Sequence, residues 1–78
     1  MTSVSVDKAL FEDLLSFKLR RLSEDIQAIL AKWHYISGKS FLEDARLGKL
    51  KEAEMDAIEL HQLLHDQEIL LKIKEKQG

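Results

Sequence analysis

Seven apolar residues, Leu15, Leu19, Leu22, Ile26, Ile29, Trp33 and Ile36, recur at spacings of 4, 3, 4, 3, 4 and 3. This rhythm puts them on one face of a single helix, and the whole face must then be covered. The 78 residues make at most one domain, and so small a core is marginal because surface outweighs volume. Small chains usually add disulfides, a metal or a partner chain. Cysteine is absent, which excludes disulfides and thiolate metal sites. What remains is unusually apolar helix packing or association with other protein.

Few residues break the helical pattern. There is no proline, and the interior glycines are Gly38 and Gly48. An arm is expected over residues 1–6, with Asp7 capping a helix over about 7–36, roughly 45 Å long at 1.5 Å per residue. Leu10, Phe11, Leu14, Phe17 and Leu30 flank its stripe and make it too broad for a slim two-stranded coil. Gly38 is expected to end this helix in a left-handed conformation. Ser40-Phe41-Leu42-Glu43 reads as a capping box opening a short helix over about 41–47, which Gly48 stops. A last helix over about 50–75 carries Leu50, Ala53, Ala57, Leu60, Leu64, Gln67 and Leu71 at spacings of 3, 4, 3, 4, 3 and 4, broadened by Leu63 and Leu70. Ala53 and Ala57 are small enough to face Trp33 across a pair of helices, and Gln67 interrupts the stripe with a polar group. The fold expected is all-α, in one domain. Two long helices form an antiparallel hairpin bridged by a short helical elbow, and two chains pair as a homodimeric four-helix bundle.

Charge excludes little but biases the partner. The net charge of −2 supplies no basic field for nucleic acid. Residues 1–40 carry six basic and five acidic side chains, and residues 41–78 six and nine, so the second half is mildly acidic. No apolar run reaches the ~18 residues a membrane helix needs, and the start lacks the basic and apolar segments of a signal peptide. A soluble cytoplasmic protein without a membrane partner is the expectation.

Two clusters invite a chemical reading. His61, His65 and Glu68 lie at i, i+4 and i+7 on one helical face, a donor set known for zinc or iron. They lack a His-Glu-x-x-His motif, and neither histidine has a glutamate three residues before it, so the expectation is no resident metal and no cofactor. Lys18, Arg20 and Arg21 form a basic cluster that makes a small dimeric nucleic-acid-binding regulator the alternative reading. Glu24 and Asp25 sit at i+4 from Arg20 and Arg21 and offset it. No nucleophile, base and acid constellation and no phosphate loop stands out, so an enzyme is not expected.

Tyr35, Ser40, Phe41, Glu43, Gly48, Asp56 and Glu59 follow a recognisable order: an aromatic, a Ser-Phe-acidic turn, a glycine-containing short segment and an acidic final helix. Over residues 35–74 this resembles one class of small helical prokaryotic antitoxins. Leu60 stands where that family commonly has an aromatic. The resemblance implies a partner protein, a toxin neutralised by binding, and carries over no site residue.

The functional expectation is a non-enzymatic protein–protein interaction module, antitoxin-like, binding through helix faces. The residues expected at its dimer or partner interface are Leu10, Phe11, Leu14, Phe17, Leu22, Ile26, Ile29, Trp33, Leu60, Leu64 and Leu71.

Overall fold

The structure, a computed structural model, describes the backbone of residues 4–77 and the side chains of residues 8–76. Among the described residues the fold is all-α: α1 spans Val4–Lys32, α2 Gly38–Arg46 and α3 Glu54–Gln77. At 1.5 Å per residue α1 is about 43 Å long and α3 about 36 Å. Laid end to end they would reach about 80 Å, yet the molecule measures 55 × 18 × 18 Å. Lys32 and Trp33, at the end of α1, touch Asp56 in the first turn of α3. Both facts require α3 to run back alongside α1.

The chain reverses through two similar helix ends. At the end of α1, the Tyr35 N–H donates to the Leu30 carbonyl at 2.8 Å and the His34 N–H to the Ala31 carbonyl at 3.1 Å, with His34 at φ 61°. This is a Schellman ending. At the end of α2, Lys49 donates to Asp44 at 2.9 Å and Gly48 to Ala45 at 3.1 Å, with Gly48 at φ 78°. Glu52 takes a third left-handed position, at φ 58°, just before α3.

These ends move several expected boundaries. α1 stops at Lys32 rather than near residue 36, because His34 takes the left-handed position assigned to Gly38. Ile36 therefore leaves the stripe and is 96% exposed. α2 begins earlier than expected, with Ser37 as its cap: the Ser37 hydroxyl accepts from the Ser40 N–H at 3.3 Å, so Ser40 is not the cap. Gly38 serves close approach instead. A Cβ placed on it would lie 3.2 Å from Leu64 Cδ1 and 3.8 Å from Leu60 Cδ2, so the start of α2 rests against α3. α3 starts at Glu54, after the turn that Glu52 makes. At the other end of the chain, Val4 to Val6 belong to α1 instead of an arm, and Asp7 lies inside the helix. The rest of the expected arm, residues 1–3, lies outside the described residues.

The core forms where the three helices meet. Ile26, Ile29, Leu30, Phe41, Ala53 and Leu60 make one buried cluster, with Trp33, Tyr35, Leu42 and Leu64 packed around it. Phe41 and Leu60 are fully enclosed. The Tyr35 ring meets Phe41 edge-on with centroids 5.5 Å apart, and Trp33 lies tilted against it at 5.8 Å. Such tilted and edge-on pairs add to the area that aromatics bury.

Two outcomes follow for stability. Phe41→Ala is expected to cost about 3–5 kcal/mol, most of what a domain of this size has, and to abolish the cooperative thermal transition seen by circular dichroism. His34→Gly relieves a left-handed non-glycine at the cost of a looser unfolded chain, for a net gain of about 0.5–1 kcal/mol. Gly48→Ala, with open space around its Cβ position, loses a similar amount through backbone conformation alone. Melting temperatures moving in opposite directions for the two variants check this.

Candidate functional site

The residues expected to carry function divide into a buried set, a polar junction and an exposed face. Leu22, Ile26, Ile29 and Leu60 are buried within the chain. Trp33 and Leu64 are half-buried against the core. These six hold the chain to itself. Leu71 is 49% exposed on α3.

The polar junction lies where the end of α1 meets the start of α3. Asp56 accepts from the Trp33 indole N–H at 2.7 Å and from the Lys32 ammonium at 2.9 Å. Trp33 thus reaches the segment between Ala53 and Ala57, with Asp56 between them as its partner. The Asp56 side chain is only 20% exposed. The Lys32 ammonium above all, then the Trp33 N–H, holds its carboxyl below the usual carboxylate range, against the opposing effect of burial. Its place in the first turn of α3 also suits the helix dipole. Alongside, the Tyr35 hydroxyl donates to Asp44 at 2.5 Å, and this bond, with burial, raises the phenol above its ordinary value. These contacts join residues 9 and 23 positions apart. The sequence signalled Asp56 only as one acid of the final helix, within the resemblance.

The chemical candidates do not converge. His61, His65 and Glu68 are exposed along α3, and no group of three potential ligands among the described residues lies close enough to hold a metal ion. Lys18, Arg20 and Arg21 are all exposed. At 100° per residue Arg20 leaves α1 roughly 160° from Lys18, so the three cations do not form one patch. Arg21 also lies 3.8 Å from Asp25. A shallow groove of about 380 Å3 between α2 and α3 is lined by Leu42, Ala45, Arg46, Glu54, Ala57 and Ile58. Among the described residues no polar or charged side chain is buried, and no helix is long and apolar enough to cross a membrane.

The exposed face is on the first half of α1. Leu10, Leu14 and Phe17 are 57%, 58% and 60% exposed, and Phe11 beside them 43%. The first three are spaced i, i+4 and i+7, so they share one side of the helix. That side is rotated roughly 140° from the stripe that meets the core. Leu10, Leu14 and Phe17 are therefore not the margin of the core stripe, whereas Phe11, at the same angle on α1 as Ile29, borders it. Leu10, Leu14 and Phe17 form a second apolar face that neither α2 nor α3 covers.

No family model, curated protein or solved structure matches this chain.

The junction makes a pH prediction. A carboxyl with a lowered folded value contributes stability above its unfolded value of about 3.9 and loses it as pH falls through the folded value. Asp56→Asn is expected to cost about 1 kcal/mol at pH 7, and the gap to the parent should narrow as pH falls below about 3.9. Urea unfolding at pH 7 and pH 2.5 tests this; a gap that stays constant rejects it.

Proposed function

We propose that this chain is a non-enzymatic, cytoplasmic protein-interaction module that works as a homodimer. The hairpins of two copies meet through the Leu10, Leu14 and Phe17 face, giving a bundle of four long helices with the two α1 copies at its centre. The observation that carries this reading is the second apolar face on α1, left bare by the chain's own helices.

Magnitudes support it. With Phe11, the face offers roughly 400 Å2 of apolar surface per chain, counting about half of each side chain. A standard interface takes about 800 Å2 from each partner, a little over half of it apolar, so the sizes agree. The chain also exposes 6147 Å2, whereas a compact monomer of its mass exposes about 4,900 Å2. Its radius of gyration is 16.0 Å, against about 11.5 Å for a compact chain of this length. A second copy would hide much of that excess.

The resemblance over residues 35–74 supports a narrower reading, an antitoxin-like regulator that neutralises a toxin by binding it. Tyr35, Phe41, Gly48 and Asp56, four of the seven residues that carry the resemblance, build the reversal through ring packing, backbone turn or hydrogen bonds. The other three residues compared, Ser40, Glu43 and Glu59, are exposed. Growth rescue tests this version: co-expression with a growth-inhibiting protein encoded beside the chain should restore growth, and no rescue rejects it.

Light scattering coupled to size exclusion tests the dimer. At micromolar concentration the mass is expected to be twice the 9.0 kDa of one chain. Phe17→Glu should give one chain mass with unchanged helicity, since Phe17 is 60% exposed and outside the core. A fully helical parent protein of one chain mass would overturn the reading.

A further inference from the structure

We infer that the second copy lies antiparallel on this face, in a register set by Asp13 and Arg20. This rests on the dimer reading above and fixes how the two chains meet. Asp13 and Arg20 are seven residues apart and both exposed, on the flank of the face next to Phe17. Neither takes part in an ion pair among the described residues. Lys18 and Phe11 occupy the opposite flank.

When two antiparallel helices meet around a two-fold axis, the same flank of each faces its counterpart. Centring the axis near residue 16 sets Leu14 against Phe17 of the second copy, twice over. It also brings Asp13 of each copy level with Arg20 of the other, giving two equivalent ion pairs. On the far flank Lys18 lies within one turn of Phe11 of the second copy, close enough for its long stem to bring the ammonium over that ring. Arg21 falls beside Leu10, at the rim, where its stem covers apolar surface and its head stays in water.

Neighbouring antiparallel registers fail on charge. A shift by one heptad in either direction faces Asp13 with Asp13, or Arg20 with Arg20. The parallel arrangement pairs Asp13 with Lys18 and Arg20 with Asp25 on its flanks. It also places Arg21 on Arg21 and Glu24 on Glu24 along the seam, where like charges meet closely. The antiparallel register unites the three apolar residues with opposite charges at Asp13 and Arg20, and its one acidic pair by position, Asp25 level with Asp7 of the second copy, lies out at the rim with Arg21 beside Asp25.

Charge exchange tests the register. Asp13→Arg and Arg20→Asp, each alone, should weaken the dimer about tenfold at low salt. The double variant Asp13→Arg/Arg20→Asp restores both pairs in the antiparallel register and should recover the parent dissociation constant. In the parallel arrangement the same double variant meets Lys18 and Asp25 with like charges and should dissociate further than either single variant. Analytical ultracentrifugation reads the constants, and circular dichroism confirms that each variant is helical. Recovery supports the proposal. A double variant weaker than the singles, or single variants with no effect, overturns the register while leaving the dimer reading standing. A parent protein that is monomeric overturns both.

Discussion

Everything in this molecule depends on enclosing Phe41. The chain must turn back within the residues between Lys32 and Glu54, and three helices converge there on one ring. Trp33 and Tyr35 close over it from the end of α1, while Leu60 and Ala53 lie buried in the same cluster. A fully enclosed ring is a strong constraint in so small a core. It requires α1 to stop where it does, although the local sequence has no glycine to stop it. The left-handed His34 is the cost, of the order of 1 kcal/mol, and packing around Phe41 exceeds it several-fold.

Polar contacts give that packing its alignment. An apolar core alone distinguishes poorly between neighbouring registers of two helices. Asp56 bonded to both Lys32 and Trp33, and Tyr35 bonded to Asp44, specify one. Each joins segments that hydrophobic periodicity would pair only loosely. None is deeply buried, so none carries the desolvation penalty of an interior ion pair.

Much of the fold was legible from the spacing of apolar residues. The three helices and the stripe through Leu15, Leu22, Ile26 and Ile29 are read directly from it. So is Gly48 as a helix stop, because glycine alone adopts its backbone angle at no cost. Gly38 was misread because a glycine beside a helix end has two uses: a left-handed cap and a close approach. Only the position of Leu64 on α3 reveals which one operates. His34 is not legible because histidine, although enriched at left-handed angles, adopts them at only a small share of its positions. Leu10, Leu14 and Phe17 were identified as interface residues but grouped with the core stripe. Where the core lies around α1 is set by tertiary packing, which spacing in one helix does not contain.

The buried cluster from Ile26 to Leu60 sits entirely at the elbow half of the rod, and this makes the molecule mechanically uneven. Contacts near the reversal join residues close in sequence and cost little chain entropy to form. Packing farther from the reversal closes longer loops, and among the described residues the first half of α1 buries Leu15 alone. Contacts of short sequence separation favour the elbow as the place where folding begins, and the far end as the place where opening begins. The bare α1 face lies on the half that zips last. A partner seated there would act as a clasp on the open end, coupling association to completion of the fold.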